Sequence, residues 1–231
     1  MRSKTDKEDS KRLAQYGELG HGRVWQPEPL HVRQLKALMT RLEALGGDII
    51  REENRLESLE VSKLSKVAIK SSNDVIKFLN KEKSKIEKEF DKHFDDHEDL
   101  KKDYELLKSI PGIGPVVAKY LACLLRSKPF EKATQAAEFV GLNPVIRQSG
   151  TSLNSAGKLS KAGCSTIRAK LYMAAVVAKR HNPLARDLYD RLLKKGKAKM
   201  CALGAVMRKL VHIGFGVLKH QTKFCSQGIN A

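Results

Sequence analysis

Aromatic residues are scarce in this 231-residue chain, at 6%, with a single tryptophan. Its core must therefore be assembled mainly from aliphatic side chains. Cysteine is equally sparing. Cys123, Cys164, Cys201 and Cys225 form no C-x-x-C pair and have no histidines at metal-ligand spacing, which excludes a disulfide framework and a zinc ribbon. No run of eighteen apolar residues exists and no secretory leader pattern is present, so a cytosolic location is expected. No segment alternates apolar and polar residues over a useful length, so the fold reads as mainly α. Acidic residues are missing from one half only. Residues 1–100 carry 20 Lys/Arg against 20 Asp/Glu, whereas residues 101–231 carry 24 against 6. The net charge of +18 thus belongs entirely to the second half. A solubility device would be spread over the whole surface, whereas a concentrated positive field suits a polyanionic partner, above all nucleic acid.

What is present divides into three stretches. Residues 1–25 are polar and too short to fold alone. Residues 26–100 open at Pro27 and Pro29, which favour a helix start. Leu35, Leu38, Leu42, Leu45, Ile49, Leu56 and Leu59 then recur at steps of three, four and seven, a seam interrupted at Glu52. The polar run Ser71–Asp74 offers a turn and an N-cap. Beyond it Val75, Ile76, Leu79, Ile86, Phe90 and Phe94 predict a second amphipathic helix. The two together read as a helical coiled-coil hairpin or a dimerising coiled coil, with oligomerisation favoured because little else covers the seam. Residues 101–231 read as a compact all-α domain. Its helices are expected near 164–179, 183–195 and 199–219, with a short one before Gly141 and a basic turn in KKGKAK.

Two places in the basic half could handle phosphate. The first is LLKSIPGIGPVVAKYLACLL, the pattern of a helix-hairpin-helix. Gly112, Ile113 and Gly114 would let backbone N–H groups approach a DNA phosphate, with Lys119 one helical turn further on. The second is VIRQSGTSLNSAGKLSKAGCSTIR at 145–168, rich in hydroxyls, punctuated by glycine and carrying Arg147, Lys158, Lys161 and Arg168. A serine attacks a phosphodiester only where cations stabilise the transition state, and Gly150 permits a sharp turn that would expose the Ser149 hydroxyl. By composition alone such a loop is a passive phosphate clamp or a nucleophile site, and both readings stand. A third feature is Asp6 and Asp9, three apart on one face of a helix, which could share a divalent cation or simply form a solvated helix start. Of the rest, Trp25 reads as a packing anchor beside the prolines. His93 and His97 read as a solvated pair, and Tyr120, Tyr172 and Tyr189 as core or rim residues.

Taken in order, KTDKED, VWQPEP, SIPGIGP, EFVGLNPVIRQSGTS, LSKAGCSTIR and LGAVMRKLVHIGFGVLK resemble the transposases of insertion-sequence family 110/116/902 along nearly the whole chain. The resemblance implies a DEDD RuvC-like nuclease domain followed by a C-terminal serine transposase domain. Ser149 would be the nucleophile that joins covalently to DNA. Arg147, Lys161 and Arg168 are candidate phosphate stabilisers by proximity. Asp6 and Asp9 would be the last two carboxylates of a four-carboxylate Mg²⁺ site. The implied partners are DNA, a structured guide RNA that chooses the DNA sites, and further copies of the chain assembled through the coiled coil as dimers or tetramers. The first two carboxylates of such a set lie upstream of KTD, so an N-terminally truncated copy with an incomplete metal set is expected. On this reading residues 1–25 are a nuclease remnant, 26–100 the dimerisation region and 101–231 the transposase domain. The runner-up is a catalytically inactive nucleic-acid-binding remnant that co-assembles with intact copies.

Overall fold

The computed structural model describes residues 5–20, 27–63, 65–149 and 153–226, with backbone only at 146–149 and 153–156. Nine helices and one two-stranded sheet make up the described residues. Helix α1 (Asp6–Glu18) is capped by the Thr5 hydroxyl, which accepts from the Glu8 amide, and buries no residue. Helices α2 (Leu30–Ser62) and α3 (Lys66–Asp95) form a long antiparallel hairpin, each about 45–50 Å at 1.5 Å per residue.

The turn of that hairpin falls at Lys63–Ser65, not at Ser71–Asp74. Lys63 adopts the left-handed conformation that ends α2, and the Ser65 hydroxyl caps α3 by accepting from the Ala68 amide. The polar run instead sits inside α3, where its groups find partners. Asn73 donates back to the Ile69 carbonyl. Ser72 is buried and hydrogen-bonds Glu52, the residue that interrupts the leucine seam. Arg55 first and Ser72 second hold the Glu52 carboxyl below its ordinary range. The break in the seam is therefore a polar pair across the hairpin. Both seam glycines, Gly46 and Gly47, remain within a continuous helix.

At its root the hairpin joins the main core. Val32, Leu35 and Met39 of α2 and Phe90 and Phe94 of α3 share one cluster with α4 (Glu98–Lys108), α5 (Pro115–Arg126), α6 (Ala133–Phe139), α7 (Ser165–His181) and α9 (Lys199–His220). Toward the tip, Leu56, Leu59, Ile76 and Leu79 are only half-buried, while Val61, Val67, Val75 and Phe78 are exposed. Helix α9 is the centre of the domain, packed by α4, α5, α6, α7 and α8 (Pro183–Lys194). Among the described helices it alone has the length and apolarity to cross a membrane, but it buries ten residues as the core helix.

A polar network ties the hairpin root to this core. Asp103, fully buried, accepts from Arg126 Nε at 2.6 Å and from Gln221 Nε2 at 3.2 Å. Arg126 also lies 3.9 Å from Asp99, whose other neighbour at 3.9 Å is His31. Asp103→Ala leaves Arg126 and Gln221 without their acceptor. Breaking a buried pair costs about 3–5 kcal/mol, but Arg126 is partly hydrated, so about 2 kcal/mol is expected. Urea unfolding of Asp103→Ala beside Asp99→Ala, which should shift stability by less than about 0.5 kcal/mol, checks this.

His93 and His97 are not a solvated pair. The rings of His31 and His97 stack at 5.0 Å, and those of His93 and His97 lie 4.5 Å apart. His93 Nε2 and His97 Nδ1 donate to the carbonyls of His31 and His93, each at 2.8 Å. Burial lowers the His31 pKa, outweighing Asp99, which raises it; burial, then Arg208 and Lys209, lower that of His212. A lowered folded-state value means the folded chain binds fewer protons than the unfolded one. The corresponding stability is present above pH 6.5 and is lost as pH falls below it. The melting temperature should therefore drop between pH 7 and pH 5, by about 2–4 °C per kcal/mol for a chain of this size, and drop less in His31→Gln. An equal drop in both proteins would remove His31 from the account.

Candidate nucleic-acid interface

The Ser149 segment is not the helix-flanked loop that the sequence suggests. It forms strand β1 (Pro144–Ser149) paired antiparallel with β2 (Leu153–Leu159), the one sheet among the described residues. Pro144 faces Leu159 and Ser149 faces Leu153, with a register irregularity between Val145 and Arg147. Leu159 is half-buried at the root, packing where Gly204 of α9 leaves room for it. Pro144, Val145, Gly157 and Lys158 are exposed. The sequence here shows no sustained apolar–polar alternation, so the strands carry no periodic signal.

Isolated two-stranded hairpins are marginal in water, so the root must be held. Ser160 N–H donates to the Asn143 carbonyl at 2.8 Å, and Lys161 N–H to the Gly141 carbonyl at 3.1 Å. Gly141 and Gly163 both have positive φ, +78° and +91°, and their missing side chains are filled by backbone. A Cβ on Gly141 would overlap the Ala162 carbonyl and lie 2.7 Å from its nitrogen. One on Gly163 would overlap the Phe139 carbonyl. The GLNP and SKAG segments are thus two turns locked backbone to backbone at the hairpin root. Asn143 Oδ1 is the one buried side-chain polar atom without a partner among the described residues.

The candidate cations divide between the two ends of the hairpin. Arg147 lies two residues from Ser149 on the same strand, near the tip. Lys161 and Arg168 belong to the root, about 17 Å from Ser149 by strand rise. Lys161 is exposed and has an unusual positive φ of 56°. Arg168 donates from Nη1 to the carbonyls of Val140 at 3.1 Å, Gly163 at 3.0 Å and Ala162 at 3.4 Å, so its guanidinium clamps the locked turns.

The helix-hairpin-helix is present as α4, a turn over 109–114, and α5. Gly112, at φ +98°, turns inward, since a Cβ there would meet Ala178 Cβ at 2.6 Å. Asn182, fully buried, caps α8 and donates to the Pro111 carbonyl at 3.3 Å. Ile113 is buried, and Gly114, the α5 N-cap, is exposed beside Pro115 and Val116. The outward face of the turn is therefore Gly114 and the first turn of α5, whose leading N–H groups have no intrahelical acceptors. Lys119 is already engaged. It pairs with Asp91 and lies over the Phe90, Phe94 and Tyr104 rings at 5.5–5.8 Å. Between this face and the long hairpin runs a groove of about 700 Å³, lined by Glu43, Lys83, Glu87, Lys119, Tyr120 and Lys170 among others. Burial pushes the Tyr120 hydroxyl and the Cys123 thiol each up to about 12, so neither supplies an anionic nucleophile near neutral pH.

Asp6 and Asp9 stand in the first turn of α1, and no group of three or more metal-ligating side chains occurs among the described residues. Trp25 lies outside the described residues.

The described residues thus define a basic helical domain that combines a helix-hairpin-helix with a projecting serine hairpin, on a long helical stalk. Residues 104–190 match the sequence model of the Transposase IS116/IS110/IS902 family. It is similar to the pilin gene-inverting proteins of Moraxella lacunata and Moraxella bovis. Each is 29% identical over 227 residues, 97% of this chain and 69% of theirs. It is also 27% identical over 123 residues, 53% of this chain, to an insertion element IS110 protein of Streptomyces coelicolor, covering 30% of that protein.

Proposed function

We propose that this chain cuts and rejoins DNA as an insertion-sequence transposase or recombinase, with Ser149 as the attacking residue. The observation that carries the reading is the place of Ser149. It ends strand β1, about 17 Å by strand rise from the hairpin root at Pro144, on a strongly basic domain of transposase type. The far end of such a hairpin can enter a nucleic-acid groove that the body of the domain cannot. In the reaction the serine oxygen forms a bond to phosphorus as the P–O bond to one DNA strand breaks. The serine proton passes to a base, and the strand leaves as a hydroxyl. Attack by a second DNA hydroxyl on the phosphoserine ester rejoins the DNA and frees the serine.

Arg147, two residues before Ser149 on β1, is the cation expected to meet charge at the serine, whereas Lys161 and Arg168 belong to the root. Gly114 and the opening turn of α5 offer a second contact to the DNA backbone, in the manner of helix N-termini with phosphate. The family resemblance adds a structured RNA as the guide to DNA sites, and Mg²⁺ held jointly by Asp6, Asp9 and carboxylates beyond those found here. The exposed Val67, Val75 and Phe78 on α3 support assembly of further copies along the distal hairpin, as dimers or tetramers. A second reading is a nucleic-acid-binding remnant that co-assembles with intact copies and performs no chemistry itself.

Incubation with a DNA substrate whose cleaved strand diffuses away separates the two readings. The recombinase reading expects a protein–DNA adduct that survives denaturant. Salt-sensitive binding without an adduct leaves the remnant.

A further inference from the structure

We infer that the turn between α8 and α9 is a DNA-backbone clamp that works together with the root of the serine hairpin. The inference rests on the DNA reading above and adds a surface to it. Over residues 190–199 the chain carries Arg191, Lys194, Lys195, Lys197 and Lys199 against one acid, Asp190. All five cations are exposed, and none forms an ion pair among the described residues. That sets them apart from the stalk, where Arg51, Arg55, Lys77, Lys83 and Lys85 each pair with a carboxylate three or four residues away.

The backbone beneath these lysines is fixed. Lys195, Gly196 and Lys197 donate their N–H groups to the carbonyls of Arg191, Leu193 and Leu192, and Gly196 has a positive φ of 74°. This is a closed helix end that leads directly into α9. The lysines therefore emerge from a rigid turn rather than from a floppy linker.

Position supplies the second argument. Leu159, the last residue of the serine hairpin, packs at Gly204, which lies five residues into α9 from Lys199. That is about 8 Å along the helix axis. At 3.4 Å per phosphate along each strand, duplex DNA held at the hairpin root would pass the turn within two or three nucleotides. Lys158 and Lys161, both exposed at the root, continue the positive track toward Ser149. The clamp reads no sequence; it sets how the duplex lies against the hairpin.

The test uses the full chain carrying Lys194→Ala, Lys195→Ala, Lys197→Ala and Lys199→Ala together. Fluorescence anisotropy with a duplex oligonucleotide is followed from 50 to 300 mM salt, and circular dichroism checks folding. Each lost phosphate contact flattens the log–log salt slope by about 0.9, so a slope reduced by about 2–3 and at least about tenfold weaker binding at 150 mM are expected. The single variant Lys197→Glu should shift the slope in the same direction by about 1. An unchanged slope overturns the clamp, as does a change seen with structured RNA while duplex binding stays intact. Ser149→Ala is expected to keep the wild-type slope. Loss of the slope in the lysine variant therefore supports the clamp even where the chain forms no covalent adduct.

Discussion

Ser149→Ala is expected to abolish the covalent DNA adduct while changing duplex affinity by less than about twofold. The chemistry allows no gradual outcome, since alanine offers no oxygen to form the phosphoester. Affinity should survive because backbone binding by a basic protein is carried by cations distributed over the surface, here over the root and the α8–α9 turn. Ser165→Ala, an exposed position at the first residue of α7, is the matched control and should keep the adduct. An adduct at wild-type level in Ser149→Ala would move the nucleophile elsewhere in the chain. Buried Tyr120, with its hydroxyl pushed up to about 12, would be a poor replacement.

Gly141→Ala is expected to be the most destabilising single substitution in the hairpin root. Two costs add. An alanine at φ +78° pays about 1–2 kcal/mol for the left-handed conformation. Its methyl group would also overlap the Ala162 carbonyl, and that neighbour is backbone with nowhere to swing. A loss of about 3–5 kcal/mol follows, a fall in melting temperature of about 10 °C. Gly163→Ala strains the same lock from the other side, at Phe139. Because the two positions share one interface, the double variant should lose less than the sum. Additive losses would mean that the two turns are independent.

Much of the helical architecture was legible in the residues, because α2, α3, α7, α8 and α9 carry long apolar periodicities that the core enforces. The helix-hairpin-helix was legible for a different reason: Pro-Gly-Ile-Gly-Pro leaves few conformations open. The turn of the stalk was misplaced because Ser71–Asp74 has turn chemistry, and local preference yielded to tertiary pairing once Ser72 met Glu52 across the hairpin. The serine hairpin was not legible because its segment carries no apolar–polar alternation and is punctuated by glycine and hydroxyl residues. Arg168 illustrates a third limit. A basic residue near a phosphate-type loop invites an electrostatic role, and only the geometry shows its guanidinium engaged with three carbonyls. Likewise the positive-φ glycines of GLNP and SKAG were visible as letters, but the contacts they make, Gly141 with Ala162 and Gly163 with Phe139, are far apart along the chain.

The helix around which the domain is built is also the last of the described helices to be synthesised. Helices α4 to α8 leave the ribosome with their apolar faces prepared for α9, yet α9 begins only at Lys199. At about 5–20 residues per second that interval leaves the newly made segments waiting for about two to eight seconds from the end of α7 until α9 is complete. Folding of the basic domain is therefore a late, nearly concerted event. The stalk, whose two helices pair locally, can zip up well before it. A nascent chain arrested before Lys199 would present a finished stalk attached to an unassembled, sticky domain, an expected target for chaperones and proteases.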